Sequence, residues 1–231
     1  MSKLIFDIET RGFDKKELDP VIKEYLVKNA KDEKEQEEIL SRTGLLPISG
    51  EVVAIAMLNF ETNKGKVYFQ APSYAKATEG KPENKVENYE KDGVEYIVQD
   101  EKGILENFWN DIKFFNQIIS FNGRGFDCPF IIIRSIYHNL KPTKNLMPYR
   151  YSGKEHLDLM DQLAFYGAFR KLSLESLCQT FGIKNPKDQG VSGLEINNLF
   201  KNKEYKKIAE YCMRDVVATN ELYKKVLPYL F

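Results

Sequence analysis

Cysteine and histidine are scarce in this chain of 231 residues, with three of the first and two of the second. Cys128, Cys178 and Cys212 show no Cys-x-x-Cys spacing and sit in apolar, helix-patterned stretches. A disulfide framework and a cysteine-based zinc site are therefore not expected, which suits a reducing compartment. His138 and His156 stand alone, and a lone histidine near a strand start is more often satisfied structurally than catalytic. Excess charge of either sign is also absent: 34 Lys and Arg balance 34 Asp and Glu. Nothing in that balance attracts nucleic acid globally, so any phosphate-binding surface must be local. No apolar run approaches the roughly 20 residues that span a bilayer. The start of the chain carries no basic segment leading into an apolar one. A cytoplasmic protein with no membrane partner is the expectation; protein partners stay unknown.

The remaining composition, 42% hydrophobic and 13% aromatic, is ample for one large α/β domain covering residues 1–231. Residues 3–9 (KLIFDIE) read as a buried strand, 51–60 (EVVAIAMLNF) as another, and 66–70 (KVYFQ) as its partner across Asn63-Lys64-Gly65. Residues 117–121 (QIISF) and 156–160 supply two more strand candidates. Helical patterns occupy 103–115, 126–139, 172–181 and roughly 203–226. A charged segment near 14–43 reads as a helical insertion, and the Lys-, Glu-, Asn-, Pro- and Gly-rich stretch near 71–95 as a mobile loop. Strands that alternate with helices after an opening meander imply a mixed sheet flanked by helices.

Two short stretches carry the chemistry. Asp7 and Glu9 lie two apart on a strand pattern, so both carboxylates project to one side about 7 Å apart along it. Tyr211 and Asp215 lie four apart on a helix, in one stripe with Ile208, Cys212, Thr219, Leu222 and Val226. A carboxylate on such an inward face costs several kcal/mol unless paired. A salt bridge would satisfy a lone aspartate, and a core tyrosine needs no further role. Three inward-facing acids, however, repel one another unless something positive sits between them, and a pair of divalent cations would supply it. A third element, Ser120-Phe121-Asn122-Gly123-Arg124-Gly125-Phe126-Asp127, leaves a strand through a glycine-containing loop and enters a helix. Asp127 suits a helix cap with Pro129 just inside. Taken alone the cap is the reading, and it is compatible with a carboxylate that points back over the sheet edge, where Asn122 and the glycines would let a substrate backbone approach.

The Asp-x-Glu strand, the Phe-Asn-x-x-x-Phe-Asp loop and the terminal Tyr-x-x-x-Asp helix resemble, in order and distance, the three motifs of DEDD-type 3′–5′ exonucleases. Tyrosine four residues before the last acid matches the tyrosine subclass; the histidine subclass would need a histidine five before, where this chain has Glu210. The wording is most similar to the proofreading exonuclease domain of family B DNA polymerases, in its stand-alone form. The resemblance implies a ribonuclease H-like mixed five-stranded sheet flanked by helices. It also implies two-metal phosphodiester hydrolysis with Mg²⁺ or Mn²⁺, two divalent cations held by Asp7, Glu9, Asp127 and Asp215. Tyr211 would orient the attacking water, since an unperturbed pKa near 10 makes it a poor base. Thr10, Asn122, Gly123 and Phe126 would contact substrate. Asp158 resembles the acid on the family's following strand and is expected, like Asp161, to be structural.

Residues 134–187 carry nine Lys and Arg against four Asp and Glu, nine minus four leaving an excess of five, with Tyr149, Tyr151, Tyr166 and Phe169 interleaved. This suits a strand-tracking surface with cations on phosphates and aromatics under bases, and equally suits solvated lysines and core rings. Arg150, Lys154 and Arg170 are the preferred contacts. The expectation is a 3′–5′ exonuclease acting on single-stranded DNA. Its rivals are an exoribonuclease trimming RNA and a non-catalytic nucleic-acid-binding module of the same fold.

Overall fold

The chain enters its sheet at once with β1 (Lys3–Gly12), followed by two short helices, α1 (Pro20–Val27) and α2 (Glu33–Ser41), in the charged segment. The structure, a computed structural model, describes residues 2–72, 86–185 and 195–230. Asp19 and Asp32 cap these two helices with their side chains. A meander follows: β2 (Gly50–Asn59) and β3 (Gly65–Gln70), then the hairpin β4 (Tyr89–Lys91) and β5 (Val94–Gln99). Next come α3 (Glu101–Ile112), β6 (Gln117–Ser120), α4 (Asp127–Tyr137), β7 (His156–Asp158) and α5 (Leu159–Leu163). The helices α6 (Leu174–Phe181), α7 (Ile196–Lys201) and α8 (Tyr205–Val226) close the described chain.

Among the described residues seven strands form one sheet in the order β4-β5-β3-β2-β1-β6-β7. β1 runs antiparallel to β2 and parallel to β6, and β6 runs parallel to β7. The α/β, ribonuclease H-like arrangement is thus present, with seven strands where five are expected. The two additional strands fall at the edge beyond β3. β5 pairs parallel with β3 from Gly65↔Val94 to Gln70↔Gln99, and β4 folds back on β5. Residues 89–91 and 94–95 are therefore strand rather than loop. Polar composition hides them, because an edge hairpin buries few side chains: only Val94 and Tyr96 of β5 are buried. Residues 73–85 of the expected loop, and Lys187, lie outside the described residues. The strand expected over 156–160 stops at Asp158, whose carboxylate accepts the backbone N–H groups of Met160 and Asp161 and starts α5.

The alternation of β1 sorts its side chains between two cores. Leu4, Phe6 and Ile8 pack with Ile55, Met57 and the apolar faces of α3 and α4. Ile5 faces the other way, with Ala54, Ala56 and Leu58 of β2 and the buried stripe of α8. Asp7 and Glu9 share that second face. Their cross-strand neighbours are Ala56 and Ala54, small enough for α8 to lie close over both acids. Among the described residues no helix is long and apolar enough to cross a membrane.

Candidate active site

β6 stops at Ser120, opposite the start of β1, and the chain turns away into α4. Beyond Ile5, β1 therefore has β2 on one side and, among the described residues, no strand on the other. A parallel sheet that opens in this way leaves a crevice at the carboxyl ends of its strands. The Asn122–Asp127 loop fills its floor. Asn122 adopts φ 62. Gly123 is buried, and a Cβ there would lie 2.3 Å from Ser120 Oγ, so no larger residue fits this turn.

Asp127 does not cap its own helix. Phe126 occupies the N-cap position without a side-chain bond, and Asp127 Oδ1 accepts the backbone N–H of Ile8 at 3.0 Å. The free edge of β1 is thereby satisfied, and the carboxylate sits beside the residue between Asp7 and Glu9. Asp7 and Glu9 approach α8 so closely that a carboxylate oxygen of each lies within 4.8 Å of Cys212 Sγ. The Cys212 thiol donates to the Asp7 carbonyl at 3.4 Å. Tyr211 and Asp215 flank that cysteine on the same helix face, joined by a side-chain hydrogen bond. Tyr211 and Glu9 are buried, and Asp7 and Asp215 half-buried.

The electrostatics follow from this convergence. Burial, and then the charges of Asp127, Asp215 and Glu9, hold the Asp7 carboxyl well above the usual carboxylate range. Burial does the same to Glu9, with Asp215 and Asp127 adding to it and Arg214 opposing. Asp127 is pushed up to about 7, chiefly by burial and against the pull of backbone N–H groups. Burial and the neighbouring carboxylates also raise Tyr211, so its phenol stays protonated and serves as a donor. Asp7, Glu9 and Asp127, all raised, and Asp215 beside them make a carboxylate cluster whose mutual repulsion a cation would relieve. Their oxygens are hard ligands of the kind Mg²⁺ and Mn²⁺ take.

The expected substrate contacts divide into two groups. Thr10 follows Glu9 and donates to Gly44 O at 2.6 Å; Asn122, Gly123 and Phe126 lie in the loop that delivers Asp127. Arg150, Lys154 and Arg170 form the second group. Lys154 and Arg170 are exposed, whereas the Arg150 guanidinium is engaged with Asp161 at 2.8 and 2.5 Å.

One contact of the site escapes sequence reasoning, and one residue expected to be structural has a definite structural task. Cys212 touches Asp7, a proximity its place in the stripe with Tyr211 and Asp215 already hints at. Asp158 is buried and accepts four backbone N–H groups: Asn122 and Arg124 of the loop at 2.9 Å each, Met160 at 2.9 Å and Asp161 at 3.4 Å. It clamps the Asn122–Asp127 loop to the start of α5. Beneath it, His156 Nδ1 donates to Leu146 O at 2.8 Å, which leaves Nε2 to accept the Ser120 hydroxyl at 2.7 Å. Burial lowers the His156 pKa, and the ring is a neutral strut.

Comparison with known proteins gives the family and the fold. Residues 52–229 match a family described as a predicted 3′–5′ exonuclease related to the exonuclease domain of PolB. The match begins after Asp7 and Glu9. An uncharacterized protein of Methanocaldococcus jannaschii is 36% identical over 132 residues, which are 52% of this chain and 71% of that protein. DNA polymerase 1 of Sulfolobus acidocaldarius is 25% identical over 146 residues, 57% of this chain but 16% of the polymerase. The family B DNA polymerase of Pyrobaculum calidifontis shares the fold with a TM-score of 0.61 at 16% identity, covering 99% of this chain and 25% of the polymerase. That likeness in fold extends over β1 and its two acids.

Proposed function

We propose that this chain, which belongs to the family of predicted 3′–5′ exonucleases related to the exonuclease domain of PolB, removes nucleotides from the 3′ end of single-stranded DNA with the help of two divalent cations. The observation that carries this reading is the meeting of Asp7, Glu9, Asp127 and Asp215 from three separate elements, each acid within electrostatic reach of the others. Such a cluster is unfavourable by itself, and oxygen-ligated Mg²⁺ or Mn²⁺ offsets the repulsion. Asp7, Glu9, Asp127 and Asp215 would hold the ions. When bound, divalent ions lower the pKa of water and stabilise the attacking and leaving oxygens of a phosphodiester displacement.

The chain's own groups do the remaining work. Tyr211 keeps its proton, so it orients the nucleophilic water as a hydrogen-bond donor or acceptor and does not deprotonate it. The tight turn at Gly123, packed on Ser120, sets the half-buried, left-handed Asn122 where it would meet the nucleotide backbone near the acids. Pairing in a duplex must be broken before an end can enter, so frayed and single-stranded ends should be cut fastest. DNA is favoured over RNA by the likeness to DNA polymerases in both sequence and fold.

The test uses 5′-labelled single-stranded DNA and RNA with Mg²⁺ or Mn²⁺, with products resolved by length. Stepwise shortening of the DNA from its 3′ end, abolished by EDTA, is expected. Faster shortening of RNA would make the protein an exoribonuclease. Loss of a closed circular strand at the linear rate would make it an endonuclease, and no shortening of either polymer would leave a binding module.

A further inference from the structure

We infer that Tyr149, Tyr151 and Tyr166, with the rings of Phe165 and Phe169, form a base-stacking platform for the nucleotides upstream of the 3′ end, a subsite that rests on the single-strand reading above. Tyr149, Tyr151, Phe165 and Phe169 are 73%, 57%, 68% and 51% exposed. Tyr149 and Tyr151 have ring centroids 5.6 Å apart, and Tyr151 and Tyr166 4.7 Å apart, so the tyrosines form one continuous aromatic run. Single exposed aromatics are ordinary, but a contiguous exposed patch of them marks a binding surface.

The backbone holds this patch open. Phe165 and Tyr166 have φ of 49 and 56, a left-handed conformation that aromatic residues rarely adopt, and Gly167 follows at 99. Burial of the Phe165 ring does not compensate that strain, because the ring points to solvent. Strain of this kind gathers at ligand sites. Tyr166 is further held by Gln162 Nε2, which donates to its hydroxyl at 2.5 Å.

The platform shares a frame with the acids. Arg150 grips Asp161 in α5, and Arg124 Nη1 donates to Pro148 O at 3.0 Å, one residue before Tyr149. Asp158 in turn accepts the backbone N–H groups of Arg124 and Asn122, in the loop that ends at Asp127. In this proposal a strand with its 3′ end among the acids would continue over this surface. Lys154, Arg170 and Lys171 are exposed and close in the chain to Tyr151 and Phe169. Asp161 is paired with Arg150 and Asp158 is buried among backbone donors, so exposed Lys154, Arg170 and Lys171 outnumber the exposed Glu155 and leave the segment a local excess of positive charge. Stacking needs bare base faces, which a single strand offers and a duplex hides, and it is indifferent to sequence.

The experiment compares the wild type with the double variant Tyr149→Ala/Tyr151→Ala, with Phe165→Ala, and with Tyr149→Phe/Tyr151→Phe, which keeps the rings. Binding of a labelled 12-nucleotide oligothymidylate is followed by fluorescence anisotropy in EDTA, and hydrolysis of the same oligomer and of a dinucleotide with Mg²⁺. Loss of one stacked base weakens binding roughly 5- to 100-fold, so the double alanine variant should bind the 12-mer at least that much more weakly. Phe165→Ala should lose less, and the phenylalanine pair should bind as the wild type does. In hydrolysis, the ratio of KM for the 12-mer to KM for the dinucleotide should rise in step. Unchanged binding in both alanine variants, or an equal loss on 12-mer and dinucleotide, would overturn the platform. Because anisotropy needs no turnover, a wild type that binds through these rings but releases no nucleotide would overturn the nuclease reading and support the platform.

Discussion

Asp127 accepts the backbone N–H of Ile8 at 3.0 Å, which stitches the start of α4 to the open edge of β1 between its two acids. One hydrogen bond thus sets the spacing of the acids and closes a gap in the sheet ladder. The same contact explains why Asp127 is not a helix cap: Ile8, buried and lacking a β6 partner, is the more demanding donor. The consequences of this convergence can be measured.

Removal of one acid separates activity from folding. Asp7→Ala or Asp215→Ala should abolish hydrolysis and leave the thermal midpoint in EDTA unchanged or higher, since each deletion relieves repulsion in the metal-free site. Wild-type turnover in either purified variant would refute the assignment.

Tyr211 has a smaller part. Tyr211→Phe retains the buried ring and deletes the hydroxyl bonded to Asp215. Positioning of a nucleophile by one hydrogen bond is worth about 2–4 kcal/mol, so the rate should fall by roughly 10- to 1000-fold while calorimetric Mn²⁺ affinity hardly moves. A variant that cuts at the wild-type rate would leave this tyrosine a core residue.

Metal-free stability should depend on pH in a direction opposite to that of an ordinary salt-bridged acid. The folded chain holds the Asp127 proton up to about pH 7, whereas the free side chain releases it near 3.8. Between those values folding takes up a proton, so stability in EDTA falls as pH rises. Asp7 and Glu9, also raised, act in the same sense. Denaturant midpoints measured across that window should decline, and saturating Mn²⁺ should reduce the decline. A midpoint in EDTA that climbs from pH 4 to 7 would contradict the burial of these acids.

Asp158 offers a test of the loop clamp. Asp158→Ala strands four backbone donors and removes the cap of α5, at a cost of about 2–4 kcal/mol. Asp158→Asn retains one acceptor oxygen and should lose less. Because the freed loop carries Asp127, Mn²⁺ affinity should drop in both variants in the same order. If calorimetry finds it unchanged while stability falls, the clamp supports the fold and not the site.

Much of this protein is determined locally. The period-two pattern of residues 3–9 is enough to put Asp7 and Glu9 on one face. The three-and-four stripe of α8 is enough to put Tyr211 and Asp215 on another, because side-chain direction follows from backbone geometry alone. The meander, the long last helix and the loop to Asp127 are legible for the same reason. The tertiary structure decides which groups meet. The β4–β5 hairpin is stabilised by parallel pairing with β3, a non-local contact that its polar composition does not announce. Arg150, free to reach a phosphate as far as the sequence tells, is claimed by Asp161 once α5 folds beside it. Asp158 serves residues 34 to 36 positions away, and Cys212 meets an aspartate 205 positions away. Partners so distant are selected by the packing of sheet and helix, and no local preference encodes them.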